Sequence, residues 1–467
     1  MFLKSFFTNS MGILVSRIFG FLRDLLTASI LGANIYSDIF FVAFKLPNLF
    51  RRIFAEGAFT QSFIPNFAKA KKKSLFAYRI FIRFFLFLLI FSLLVTLFSD
   101  FFTKVIAIGF SQKDVELAST FVAINFYYLP LIFCVSFFAA MLQYKNHFAT
   151  TAFSTTLLNI SLITALLLSR NLTKSEIVYA MSYAVIIGGI LQVIAHLIAL
   201  KRKRLFRIFT VGYRLSKRKK IQNQSKIFYK SFYHAIIGNS TAQISAFLDT
   251  WLASFLASGS ISYLYYGNRV FQLPLALFAI ALSVGIFPKI AKMLKIGDDK
   301  KALKLLGDSF WFLVFVLSFS MIAGVILGDE IVKILFQRGS FTSLNALYTS
   351  QVLQMYLLGL LPFGISKIFS LWLYSKNQQN IAAKISLYSL GSNVVLSLAL
   401  IKPLGVMGLA LASSISGLTL FVFTVRAFGI KQFLDIISLK KTILLLVMIT
   451  LEVLILLWFK DIIDVYI

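Results

Sequence analysis

Ser16, Arg17, Arg23 and Asp24 lie in one apolar stretch near the N-terminus. Seven residues make nearly two turns of helix, so Ser16 stacks over Arg23 and Arg17 over Asp24. A second set follows: Asp38, Lys45, Arg51, Arg52 and Glu56. On a helix, residues 38, 45, 52 and 56 fall on one stripe. In the second half of the chain, Arg269 sits deep in an apolar stretch just before Leu273-Pro274. Asp249 occupies the preceding stretch alone, and Asn393 is a polar contact in a later one. Several arginines facing one cavity imply an anionic ligand. A guanidinium makes bidentate bonds to phosphate oxygens and stays charged when partly dehydrated. The chemistry suits a phosphate or pyrophosphate group, with the carboxylates orienting the arginines while the site is empty. Structural readings stand beside this one. The first set also suits a salt-bridge cluster holding its helix to its neighbours. Arg51 and Arg52 suit interfacial anchors, with Glu56 compensating Arg52 at i+4. Asp249 suits either a cation or proton site, or a structural pair.

Positioning such charges requires an apolar frame. Of 467 residues, 59% are hydrophobic and only 14% charged, against roughly a quarter charged in a soluble domain. A bilayer absorbs that apolar surface at about 20 residues per spanning helix. The chain is therefore read as an all-α polytopic membrane protein without a sizeable soluble domain. At bilayer depth an ionisable group costs at least about 2.5–3.5 kcal/mol and normally faces a cavity or a partner, which is why the charged residues above carry information.

The formal net charge of +30 does not point to nucleic acid. The basic residues fill short gaps between apolar stretches, with no stacking or groove-reading motif among them. They read as topology signals and as attraction to anionic membrane lipids. Cys134 is the single cysteine, so no disulfide within the chain is possible, and the three histidines lack ligand spacing. The first stretch is too long and too charged for a cleavable signal and reads as a retained helix.

Spanning helices are expected near 8–31, 36–66, 78–98, 118–142, 150–169, 176–200, 226–256, 262–288, 305–328, 346–372, 381–400, 405–426 and 440–459, thirteen in all. With the N-terminus in the cytoplasm, the cytoplasmic gaps hold most of the Lys and Arg. The richest is 201–226, with Lys201-Arg202-Lys203-Arg204 and Lys217-Arg218-Lys219-Lys220. That asymmetry obeys the positive-inside rule.

The chain also repeats itself at an offset of about 230 residues. Lys45-Leu46-Pro47 returns as Gln272-Leu273-Pro274, Leu129-Pro130 as Leu361-Pro362, Lys145-Asn146 as Lys376-Asn377, and Leu158-Asn159 as Ser392-Asn393. Ile64-Pro65-Asn66 to Lys69 is echoed by Phe287-Pro288-Lys289 to Lys292. Six helices per half is an even number, which predicts two parallel six-helix lobes around a central cavity. The expected division is a first lobe over 1–200, a basic cytoplasmic linker over 201–225, a second lobe over 226–427, and an additional helix in 428–467.

Two runs then carry a resemblance: Ser16-Arg17-Ile18-Phe19-Gly20-Phe21-Leu22-Arg23-Asp24, and Phe44-Lys45-Leu46-Pro47-Asn48-Leu49-Phe50-Arg51-Arg52-Ile53-Phe54-Ala55-Glu56-Gly57-Ala58-Phe59. Tyr265-Tyr266-Gly267-Asn268-Arg269 and Phe336-Gln337-Arg338-Gly339-Ser340-Phe341 add to it. The chain strongly resembles the MurJ (MviN) lipid II flippase family, over essentially its whole length. The resemblance implies the fold of the multidrug/oligosaccharidyl-lipid/polysaccharide exporter superfamily. It implies translocation of undecaprenyl-pyrophosphoryl disaccharide-pentapeptide for peptidoglycan synthesis, in the bacterial inner membrane. Carried over residue by residue, the substrate-binding set is Ser16, Arg17, Arg23, Asp24, Asp38, Lys45, Arg51, Arg52, Glu56 and Arg269. Asp249, with Asn393, resembles a sodium site of some members. Two departures stand out. Many members have an acidic residue where this chain has Asn268, and many have fourteen helices.

A transporter rather than an enzyme is expected. There is no phosphate-cradling GxxxxGK[ST] motif, no paired acidic metal motif, and no organic cofactor is implied. Coupling to membrane potential or to a Na+ or H+ gradient is expected in its place. The expected partners are lipid II, anionic lipids and the peptidoglycan synthesis machinery, with no nucleic acid. The alternatives are an O-antigen-type flippase or a drug exporter of the MATE type. The arginines oppose cationic drugs, and the motif runs oppose the O-antigen reading.

Overall fold

Long apolar stretches in a bilayer must satisfy every backbone polar group internally, and a helix does so within one segment. The described residues accordingly form helices and no strands. The computed structural model describes the backbone of 2–55, 58–218 and 224–466, and the side chains of 11–50, 59–60, 62–217, 227–233, 236, 244 and 247–462.

The chain separates into two units, Met1–Ser258 and Gly259–Ile467. The first contains α1 (Phe2–Leu31), α2 (Ile35–Ala55), α3 (Ala58–Lys69), α4 (Lys73–Leu97), α5 (Ser99–Ile106), α6 (Gln112–Phe126), α7 (Tyr128–Tyr144), α8 (Ala149–Ser169), α9 (Lys174–Arg202), α10 (Arg207–Arg218) and α11 (Gln224–Ala253). The second contains α12 (Ser260–Pro274), a π-helical segment (Leu275–Ile280), α13 (Ala281–Lys295), α14 (Asp299–Ile326), α15 (Gly328–Phe336), α16 (Ser343–Leu357), α17 (Leu360–Ser375), α18 (Gln379–Phe428), α19 (Ile430–Ile436) and α20 (Leu439–Tyr466).

Among the described residues, eight helical segments are long and apolar enough to cross a membrane, and nine if the bent pair α16–α17 counts as one span. The expected thirteen is not reproduced one for one, and the reasons are local. α18 merges two expected helices across Gly405, whose φ of +56° and ψ of −131° are not helical. α6 and α7 meet at Tyr127 inside one expected helix and still count as one span over 112–144. α16 and α17 divide another with a bend of 40°. α2 runs on through Pro47, which removes one N–H from its ladder. At the corresponding Pro274 the helix passes into the π-helical segment.

The basic segment 201–225 is not a bare linker, because it contains α10. A Cβ on Gly212 would meet the Ser74 carbonyl oxygen at 2.4 Å, so glycine lets α10 rest directly on α4. α11 packs mainly on α3. Phenylalanine drives that contact: Phe59 lies 5.8 Å from Phe228 and 5.6 Å from Phe133 of α7, edge to face in both cases. Such pairs add about 0.5–1.5 kcal/mol each beyond burial.

Within each unit the repeated motifs take the same shape. Asn146 and Asn377 end α7 and α17 in left-handed backbone, at φ +54° and +57°. Asparagine tolerates that region better than most residues. Pro130 and Pro362 each stand at the third residue of a helix, where the missing N–H has no intrahelical partner to lose.

Candidate functional site

The site in the first unit starts from glycines. α8 lies between α1 and α9. A Cβ on Gly12 would lie 2.6 Å from the Cβ of Ala152, and one on Gly188 would lie 2.9 Å from the Cα of Leu158. Small residues let apolar helices approach this closely. The approach brings Asn159 of α8 onto α1 beside Arg23.

Arg23 donates from Nε and Nη2 to Asp24 Oδ1 at 3.0 and 2.6 Å, and from Nη1 to Asn159 Oδ1 at 3.0 Å. The Asn159 amide nitrogen donates to the Ser16 carbonyl at 3.1 Å. The Ser16 backbone and the Arg23 side chain, two turns apart, are thus tied to one amide of α8. Thr27 Oγ1 donates to the Arg23 carbonyl at 2.8 Å. Asp24 is 2% exposed, and the Arg23 side chain 12%. A carboxylate so enclosed needs the guanidinium, since unpaired burial of charge costs several kcal/mol. Arg17 is exposed on the same helix.

Asp38 is buried near the start of α2, and Lys45 is half-buried two turns later. The side chains of Arg51, Arg52 and Glu56 lie outside the described residues.

In the second unit, Arg269 is carried on α12. Gly267 seats that helix on α16, because a Cβ there would lie 2.9 Å from Val352 Cγ1. Tyr263 OH donates to Asn345 Oδ1 at 3.1 Å across the same pair of helices. Arg269 Nη2 donates to Tyr265 OH at 2.7 Å, and its guanidinium carbon stands 4.8 Å from the Tyr265 ring centre. Tyrosine therefore orients this arginine one turn back. Asn268 accepts from Gln272 and so joins the amide side of the helix.

Asp249 is half-buried on α11 in the first unit. Asn393 is buried on α18 in the second and donates to Ser413 Oγ at 3.0 Å. Among the described residues no group of three or more His, Cys, Asp or Glu could hold a metal ion.

Two contributors were not assigned a role from sequence. Asn159 was visible only as a motif echo, and Tyr265 only as part of a signature. A lone amide in an apolar helix, near the depth of an arginine on the preceding helices, was the available signal.

Comparison with known proteins gives a consistent picture. A family model described as lipid II flippase MurJ matches residues 27–466. A probable lipid II flippase MurJ of Helicobacter pylori strain J99 is 50% identical over 448 residues, covering 93% of this chain and 97% of that protein. One from Aquifex aeolicus is 34% identical, covering 89% and 81%. A solved structure of lipid II flippase MurJ in an inward closed conformation is 25% identical, with TM-score 0.77 over 97% of this chain and 99% of that one. An inward-facing multidrug resistance MATE family transporter of the MOP superfamily, 12% identical, shares the fold with TM-score 0.67 over 94% and 99%.

Proposed function

The chain belongs to the MurJ lipid II flippase family, and we propose that it moves lipid II from the cytoplasmic to the periplasmic leaflet of the bacterial inner membrane, for peptidoglycan synthesis. The family match over 27–466 supports the substrate. The observation that carries the mechanism is the guanidinium–carboxylate–amide cluster of Arg23, Asp24 and Asn159 inside an apolar helix pair. Arg17, Arg23, Lys45, Arg51, Arg52 and Arg269 take the pyrophosphate as the lobes alternate access. Asp24, Asp38 and Glu56 hold those cations in place when no substrate is bound. Ser16 contributes its backbone to the cluster through Asn159. The polyprenyl tail stays in lipid, and no bond is made or broken in the substrate.

The N-terminus lies in the cytoplasm, and the basic gaps contact anionic lipid there. The driving force is membrane potential or an ion gradient. A charge crossing the full field changes by about 2.3 kcal/mol per 100 mV, so a net positive site is potential-sensitive. Asp249 and Asn393 are the residues to probe for sodium dependence. Delivery to the peptidoglycan synthesis machinery follows from where the product emerges.

The test is complementation of a strain depleted of its own MurJ, with expression of each variant measured. Restored growth with wild type, and failure of expressed Arg23→Ala and Arg269→Ala, is the expected result. Growth with both variants would remove the cationic site from the mechanism. Failure of expressed wild type would point to another lipid-linked substrate.

A further inference from the structure

A second set of charges lies in the second unit, away from Arg269. The start of α15, the start of α16 and the end of α20 enclose a cavity of about 260 Å³, lined by Asp329, Glu330, Lys333, Ser343, Leu347 and Lys460 among others. Glu330 is 3% exposed. Its Oε1 lies 3.5 Å from Lys460 Nζ, and Lys460 also donates to the Ile326 carbonyl at 3.3 Å. Its Oε2 is buried without a hydrogen-bond partner. A buried acceptor left in that state is costly, more so when charged, which marks a position where a donor belongs.

Lys333 lines the same cavity. Lys333 follows Asp329 by four residues and Glu330 by three, spacings at which helical ion pairs normally close. Yet among the described residues no ion pair joins Lys333 to either carboxylate. The N-terminus of α16 opens at Ser343 beside it, capped by Thr342, and adds positive potential. The cavity therefore offers the carboxylates Asp329 and Glu330 together with Lys333 and the start of α16.

The level of the cavity is set by its surroundings. Trp458, two residues before Lys460, is 67% exposed, and exposed tryptophan at the end of a spanning helix sits at headgroup depth. Leu344 and Leu347 are exposed beside the opening, giving acyl chains an apolar wall. The opposite end of α20 carries Lys440 and Lys441, so the positive-inside rule puts the cavity at the outer leaflet.

We infer that this cavity binds the zwitterionic headgroup of an outer-leaflet phosphoethanolamine lipid. The primary ammonium donates to Glu330 Oε2 and Asp329, and the phosphate meets Lys333 and the first N–H groups of α16. A volume below the roughly 300–1,000 Å³ of drug-sized sites suits a headgroup and leaves the acyl chains outside. The lipid would couple α20 to α15 and α16, and the inference does not depend on which substrate the chain transports.

The test uses the purified full-length chain in detergent, titrated with phosphatidylethanolamine, phosphatidylcholine or phosphatidylglycerol and followed by native mass spectrometry and thermal melting. Phosphatidylethanolamine should bind more tightly than the other two. Glu330→Gln and Lys333→Met should each weaken it about tenfold, the loss of one charge-assisted bond. Lys333→Met is the control for folding, because Lys333 takes no part in the Glu330–Lys460 pair. Soluble phosphoethanolamine should compete with the lipid. Equal binding of phosphatidylcholine, whose ammonium has no N–H, would overturn the inference. So would unchanged binding by Lys333→Met, or a free α-amino acid that binds more tightly than phosphatidylethanolamine.

Discussion

Asn159 on α8 and Asn393 on α18 occupy matching places in the repeat, yet they do different work. Asn159 accepts from Arg23 and donates to the Ser16 carbonyl, joining two helices around a charge. Asn393 donates to Ser413 across the two halves of α18, a bond between neutral groups. The loops that follow α7 and α17 each turn on a left-handed asparagine. One frame thus supports two chemistries. The first unit carries an enclosed arginine–carboxylate pair. The second carries Arg269 against Tyr265, with the amides of Asn268 and Gln272 joined on the same helix. The difference teaches that the repeat keeps its helix ends, where backbone geometry is demanding, while the side chains carried on those helices differ.

The sharpest way to break this contrast is Arg23→Ala. It removes both bonds from Arg23 to buried Asp24, and breaking one side of a buried pair costs about 3–5 kcal/mol. Loss of lipid II translocation and a large drop in melting temperature are expected. Adding Asp24→Asn should restore much of the stability and none of the transport, which separates the two roles of Arg23.

A smaller effect separates the two asparagines. Asn159→Ala deletes one bond to a charged group and one to a carbonyl, about 2.5–4 kcal/mol together. Asn393→Ala deletes one neutral bond, about 1 kcal/mol. Melting curves should rank them in that order, and only Asn159→Ala should impair transport. Equal losses would mean that Arg23 gains nothing from α8.

In the second unit, Tyr265→Phe keeps the ring under Arg269 and removes only the hydroxyl. A loss near 1 kcal/mol corresponds to roughly a fivefold reduction in transport. No change would assign the orientation of Arg269 to the ring face alone.

The smallest expected effect lies in the loop after α7. Burial, and then the charge of Lys203, push the His147 ring below its ordinary range. Folded His147 therefore resists protonation, and lowering the pH through about 6.5 favours the unfolded chain. The melting temperature should fall slightly across that range in wild type and less in His147→Asn. The matching position in the second repeat is Gln378, which contributes no such dependence.

Much of the frame was legible in the sequence, because apolar length and the positions of asparagine act locally. The expected spans 118–142 and 346–372 end close to the turns at Lys145-Asn146 and Lys376-Asn377, whereas the helix starts beside Pro130 and Pro362 lie inside those spans and were not foreseen. The bend between α16 and α17 and the break at Gly405 were not legible, since apolar runs pass through both and packing decides where they turn. At the site, the spacing of Ser16 and Arg23 foretold a shared face. Asn159 as their tie required knowing that Gly12 and Gly188 bring α8 against its neighbours. The exposure of Arg17 against the enclosure of Arg23 is likewise a matter of packing, not of residue type.

The central claim is that arginines of both units act on the transported head group. The direct measurement is the appearance of lipid II in the outer leaflet of cells or vesicles whose only flippase is this chain, comparing wild type, Arg23→Ala and Arg269→Ala at equal expression. Translocation by wild type and its loss in both variants is the predicted result. Translocation at wild-type rates by either variant would contradict the account.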